Sequence, residues 1–131
     1  MVYNKELVAT SSLFFVPIYV LYINDKSVPC IFQNLIFLQG YVSMLFWWNP
    51  VKGNSIHIVD KVLARISISS VIMYKMYTDP TTVFVLNVFI MLLFFKLSNI
   101  CSKKEWCSKH HIVWHIFAHI YAHNAIYIAF L

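Results

Sequence analysis

The chain has 131 residues, of which 60% are hydrophobic, 18% aromatic and 11% charged, against about 25% charged residues in a soluble globular domain. Two glycines and four prolines are far from the polar, aromatic-poor profile of a disordered chain, so the composition excludes both classes and leaves an integral membrane protein. The formal charge of +5 falls mostly in short polar stretches, where it sets membrane orientation; no nucleic-acid module accompanies it.

A helical crossing takes about 20 residues, and the apolar runs predict five of them, at 7–23, 29–48, 55–77, 81–100 and 111–131. The expected architecture is an all-α polytopic transmembrane helix bundle in a single domain. Met1 to Leu7, with Lys5 before an apolar run, has the outline of a signal peptide but no small-residue cleavage site, and reads as part of a retained first span. Pro17 falls inside that span, where neighbouring helices can satisfy the freed carbonyl. The second span is uncharged, carries Gln33, Asn34, Gln39, Gly40 and Ser43, and ends on Trp47 and Trp48, where an aromatic belt is expected.

The third span is unusual, because His57, Asp60, Lys61, Arg65, Ser67, Ser69 and Ser70 interrupt it, so one of its sides must face protein or water. The fourth is broken only by Asn87 and Lys96 and is expected to face lipid. Cys101 to His110 reads as the longest connector, and His111 opens the last span. Lys5, Lys52, Lys103, Lys104 and Lys109 then share one side against Lys26 and Lys75 on the other, which places the N-terminus in the cytoplasm. The three cysteines, Cys30, Cys101 and Cys107, form no disulfide framework. With His110, Cys101 and Cys107 supply zinc-type ligands at a spacing unlike a zinc knuckle, so they read as loop thiols.

An ionisable side chain within a span costs about 2.5–3.5 kcal/mol on insertion scales, so a cluster of them points to a functional site. His111, His115 and His119 recur every fourth residue and lie along one stripe of a helix, where adjacent imidazoles can share a metal ligand site. Alternating helix direction brings Ser43, His57, Asp60, His111 and His115 to one leaflet. Lys61 and Arg65 form an i, i+4 basic stripe beside them, able to snorkel or to meet a phosphate. The same histidines can equally serve as an interfacial belt, hydrogen-bonded across helices.

Ser43-Met44-Leu45-Phe46, Asp60 and His111-Ile112-Val113-Trp114-His115 together resemble the Ser-x-x-Phe-His, Asp and His-x-x-x-His pattern of the CREST superfamily of membrane hydrolases, which includes the alkaline ceramidases and the progestin and adipoQ receptors. The three segments cover roughly a quarter of the chain. The resemblance implies a bundle that holds zinc through histidines on two helices and hydrolyses a lipid amide or ester. Asp60 and Ser43 would then be the catalytic pair supporting the metal-bound water, and His111 and His115 the paired ligands. This chain has Trp47 where the pattern has histidine, and five predicted spans replace the family's seven, so His57 or His119 would supply the third ligand.

Three functions follow as expectations, all with membrane lipids as partners and none with nucleic acid. The first is a zinc-dependent lipid hydrolase. The second is a non-catalytic multi-pass protein with a structural or membrane-remodelling role, and the third a bundle that relays protons or ions along Asp60 and the histidines.

Overall fold

The computed structural model describes residues 4–131; Met1 to Tyr3, the start of the signal-peptide-like stretch, lie outside the described residues. Six helices follow one another: α1 (Lys5–Ser12), α2 (Phe15–Ile23), α3 (Cys30–Trp48), α4 (Ser55–Thr78), α5 (Thr82–Lys104) and α6 (Lys109–Phe130). No strand occurs among the described residues.

The expected first span is divided into α1 and α2 by Pro17. Proline has no N–H for the Leu13 carbonyl four residues earlier, and its ring crowds that carbonyl. The ladder therefore breaks at Leu13 and Phe14, where the Phe14 and Val16 amides turn to the carbonyls of Ser11 at 3.2 Å and Leu13 at 3.0 Å. The whole stretch Lys5–Ile23 is long and apolar enough to cross a membrane, as are Cys30–Trp48 and Thr82–Lys104. Helices α4 and α6 have comparable lengths, but α4 carries Asp60, Lys61, Arg65 and Lys75, and α6 carries His110, His111, His115, His119 and His123.

Side-chain caps fix four helix starts. The carboxamide oxygens of Asn4 and Asn54 accept from the amides of Leu7 (2.9 Å) and His57 (2.8 Å), and the hydroxyls of Thr81 and Ser108 accept from Phe84 (3.3 Å) and His111 (3.2 Å). Such a cap contributes about 1 kcal/mol. The Ser108 cap also shortens the connector expected at Cys101 to His110. Lys103 and Lys104 complete the last turn of α5, where cations meet the negative end of the helix dipole, and only residues 105–108 remain between α5 and α6. Cys101 is consequently helical, while Cys107 sits in the turn with φ +57°.

Helix α6 is the hub of the bundle, touching α1, α2, α4 and α5. Its buried Ala118, Ala122, Ala125 and Ala129 present no bulk, which lets neighbouring backbones approach closely in a membrane bundle. Against α5 the pairing is aromatic: Phe94 packs on Trp114, Phe117 and Tyr121 with ring centres 5.7, 5.3 and 5.5 Å apart. Asn87 Nδ2 donates to the Tyr121 carbonyl at 2.8 Å, which satisfies the polar interruption of an otherwise apolar helix. Helix α3 packs on α1 and α4. The consecutive helices α4 and α5, by contrast, make almost no contact along their lengths.

The polarity of α4 is inverted relative to a soluble helix. His57, Asp60, Ser67 and Lys75 are buried, whereas Ile58, Val62, Ile66, Met73 and Tyr77 are exposed. In α5, Val85, Leu86, Phe89 and Leu93 are likewise exposed, around a buried stripe of Phe84, Asn87, Val88 and Met91.

Candidate functional site

The gap left between α4 and α5 continues into a cavity of about 710 Å³ bounded by α3, α4, α5 and α6, within the range of about 300–1,000 Å³ usual for ligand pockets. Ser43, His57, Asp60, His111, His115 and His119 all line it, so every residue singled out from the sequence reaches one space. The layer argument from alternating helix direction explains this: Ser43 is near the end of α3, His57 and Asp60 near the start of α4, and His111 and His115 near the start of α6.

Asp60 lies at the polar centre. Gln39 Nε2 donates to its Oδ1 at 3.1 Å, the Ser43 hydroxyl lies beside the same carboxylate, and Ser11 Oγ stands 3.1 Å from Ser43 Oγ. Gln39, Ser43 and Trp47 recur every fourth residue, so one stripe of α3 carries all three into the cavity. Gly40 permits this placement. A Cβ there would lie 3.2 Å from Phe14 Cβ and 3.3 Å from the Ser11 carbonyl oxygen, so glycine lets α3 approach the α1–α2 break.

Each site imidazole is held through Nδ1. His57 Nδ1 accepts the Gly53 amide at 2.7 Å and His111 Nδ1 the Cys107 amide at 3.1 Å. His115 Nδ1 is 3.0 Å from Ser98 Oγ, and His119 Nδ1 is 2.9 Å from Thr10 Oγ1. The α6 rings form a ladder, with centres 5.9 Å apart from His111 to His115, 4.7 Å from His115 to His119, and 6.4 Å from His119 to His123.

Trp47 and Trp106 complete the polar end. Trp106 lies 5.3 Å from the His57 ring and 5.0 Å from that of His111, donates from Nε1 to the Pro50 carbonyl at 3.0 Å, and carries the Lys52 ammonium 5.5 Å above its ring. Phe46 stacks on His57 at 4.7 Å. Trp47 is 1% exposed, with its ring 6.0 Å from His111 and 4.9 Å from His115. It is therefore part of the interior, and of the two tryptophans expected in an interfacial belt only Trp48 is exposed.

These contacts test whether the site suits a zinc ion. Among the described residues no three histidine, cysteine or acidic side chains are grouped to hold one. His57 and His111 use the Nδ1 lone pair to accept a backbone N–H, so in the neutral ring Nε2 carries the proton and has no lone pair to offer. Trp47, at the position that the resemblance gives to a ligand, fills the space beside His111 and His115 and brings an N–H donor. A catalytic zinc takes three protein ligands and an open position, and this arrangement does not fit one.

Two unpartnered groups show what the site can do instead. Gln39 Oε1 and Trp47 Nε1 are buried and make no hydrogen bond, although buried polar atoms are nearly always satisfied. The Asp60 contact directs the Gln39 amide nitrogen to the carboxylate and leaves the oxygen over. The cavity thus offers one free acceptor and one free donor to a guest.

Of these residues, the sequence reading gave no site role to Gln39, Trp47, Trp106, Ser98 or Thr10. The i, i+4, i+8 spacing of Gln39, Ser43 and Trp47 was a usable signal; nothing local marks Trp106, Ser98 or Thr10. No family model, curated protein or solved structure matches the chain.

Proposed function

We propose that this protein is a small five-span membrane protein whose interior cavity binds a single membrane lipid. The observation that carries the reading is the cavity itself: about 710 Å³, bounded on one side by two helices that do not pack together, with apolar walls from Ile36, Ile68, Ile72, Met91 and Phe95 and a polar end at Gln39, Ser43, Trp47 and Asp60. Apolar walls suit acyl chains. The free acceptor on Gln39 and the free donor on Trp47 suit the hydroxyl, amide or ester groups where a lipid's chains join its head.

The five-span topology rests on the outer surface. Helix α4 turns Ile58, Val62, Ile66, Met73 and Tyr77 outward and buries His57, Asp60, Ser67 and Lys75, and α6 exposes Val113, Phe117 and Ile120; both therefore present apolar faces to a bilayer. With five crossings, Lys5, Lys52, Lys103, Lys104 and Lys109 gather on the cytoplasmic side.

The test is lipid analysis of the purified, detergent-washed full chain alongside Ala64→Trp, which fills the cavity from α4. The expected result is about one retained lipid per folded parent chain and a loss of it in Ala64→Trp. A folded parent that retains none overturns the reading.

A second reading is hydrolysis of a lipid amide or ester, the activity implied by the CREST resemblance. The convergence of Ser43, Asp60, His111 and His115 on one cavity favours it. It requires a metal set that the donors described above do not form, and no catalytic step is derived from it. Near-stoichiometric zinc in the parent, lost in His115→Ala together with release of fatty acid from a lipid amide or ester, would establish it in place of simple binding.

A further inference from the structure

Five basic side chains line the cavity, Lys52, Lys61, Arg65, Lys96 and Lys103, against one carboxylate, Asp60. None of the five lies within ion-pairing distance of a carboxylate; among the described residues the one ion pair is Lys75–Asp79, at 3.1 Å. Lys61 and Arg65 are on α4, Lys96 and Lys103 on α5. Because the two helices run antiparallel from the turn at residues 79–81, Arg65 and Lys96 lie at about the same level on the two sides of the gap, with Lys61 about one turn and Lys103 about two turns farther from the connecting turn. Moving along α4 toward the turn, the lining changes to Ile68 and Ile72, and α5 correspondingly presents Leu92 and Met91.

We propose that the gap between α4 and α5 is a lateral portal for an acidic phospholipid, with its phosphate seated among Lys61, Arg65, Lys96 and Lys103 and its chains along Ile68, Ile72 and Leu92. The inference rests on the lipid-binding reading and adds the route and the head-group class. Uncompensated cations on both rims create a positive field that a zwitterionic head group neutralises poorly and a phosphate monoester neutralises well. Arg65 supplies a planar fork that pairs two phosphate oxygens at once, and the lysines supply point charges on flexible stems that can rise to the head-group level. The order of charge and apolar lining matches the order of a phospholipid, with the head toward the Lys52 and Lys103 end and the tails toward the turn.

The experiment uses the full chain in mixed micelles, in a Trp48→Phe/Trp114→Phe background that leaves Trp47 and Trp106 as reporters. Phosphatidic acid and phosphatidylcholine, each brominated on the acyl chains close to the ester carbonyls so that the quencher lies at the Trp47 level, are titrated separately. The expected result is quenching by both, with phosphatidic acid preferred by about tenfold or more, since each cation contributes on the order of a fivefold preference for an acidic lipid. Lys61→Gln/Arg65→Gln lowers the preference severalfold while quenching by phosphatidylcholine persists, and Lys26→Gln/Lys109→Gln, at positions outside the cavity lining, leaves it intact. If the first pair fails to fold, Lys96→Gln/Lys103→Gln reads the same preference from the opposite rim.

Equal quenching by both lipids in parent and variants overturns the head-group assignment and leaves lipid binding standing. Absence of quenching by either lipid overturns both readings. Displacement of phosphatidic acid by inorganic phosphate at comparable concentration overturns the assignment to a lipid in favour of a free anion.

Discussion

The indole of Trp47 stands edge-on to the imidazole of His115, ring centres 4.9 Å apart, with its Nε1 buried and unpartnered. A side chain that can donate but cannot coordinate thus stands beside two imidazoles, of which His111 already uses its Nδ1 lone pair to accept the Cys107 amide. The parent is expected to retain no stoichiometric zinc, and Trp47→His is expected to gain none, because His111 Nε2 still carries its proton. Elemental analysis of the two proteins purified side by side checks this. Stoichiometric zinc in Trp47→His would show that His111 gives up its amide contact for a metal.

Gln39 and Asp60 form the polar centre through one 3.1 Å bond. Hydrogen bonds to a charged group contribute about 1.5–3 kcal/mol, so Gln39→Leu should destabilise the protein by that order, by leaving the carboxylate short of a donor. Gln39→Leu/Asp60→Leu removes both partners and should recover much of the loss. Thermal unfolding in detergent measures the difference; a double variant no more stable than Gln39→Leu would show that the pair is not coupled.

How much of this was legible in the sequence depended on distance along the chain. The helical periodicity carried the histidine stripe, and alternating span direction brought Ser43, Asp60 and His111 to one level, because both arguments need only local geometry. The role of Trp47 was not legible: two tryptophans at a span end look alike until α6 packs against one of them. Thr10 holds His119 at 2.9 Å across 109 residues of sequence, and Trp106 wedges between His57 and His111 from a connector that Ser108 shortened. The division of the first span was foreshadowed by Pro17, whose effect falls on Leu13, four residues earlier.

Gly40 is predicted to be the most size-sensitive position of α3. A methyl group there meets Phe14 Cβ at 3.2 Å and the Ser11 carbonyl at 3.3 Å, so Gly40→Ala requires shifts of a few tenths of an ångström and should be mildly destabilising. Gly40→Leu forces α3 away from the α1–α2 break, at the cost of about 1–3 kcal/mol usual for overpacking, and moves Ser43 with it. Thermal unfolding of the two variants should rank leucine well below alanine. Equal midpoints would place slack between these helices.

Cys107 lies in the connector between α5 and α6, half-buried beside Trp106, and burial pushes its thiol pKa up. The thiolate is the reactive form, so at a given pH a smaller fraction of Cys107 is reactive than of an ordinary thiol. Alkylation by iodoacetamide in a Cys30→Ser/Cys101→Ser background should be slow near pH 8 and should rise steeply only at higher pH, beyond the range in which the unfolded chain already reacts fully. A Cys107 that matches the denatured control across the whole pH range would show an exposed thiol.

The inverted polarity of α4 leads to the most general prediction. Its exposed stripe, Ile58, Val62, Ile66, Met73 and Tyr77, is apolar, so a surface-lying α4 would strand that stripe in water or bury the basic rim in lipid. A spanning α4 avoids both, since Lys61 can snorkel from about 9 Å, six residues at 1.5 Å each, inside the helix start. Lys52 and Glu105 must then lie on one side of the membrane, and Lys26 and Thr78 on the other. Single cysteines at these four exposed positions, with Cys30, Cys101 and Cys107 replaced by serine, can be probed with a membrane-impermeant maleimide in sealed vesicles. Labelling should pair Lys52→Cys with Glu105→Cys and Lys26→Cys with Thr78→Cys. If Thr78→Cys instead reacts from the same side as Lys52→Cys, α4 does not cross, and the cavity behind it opens to water rather than to lipid.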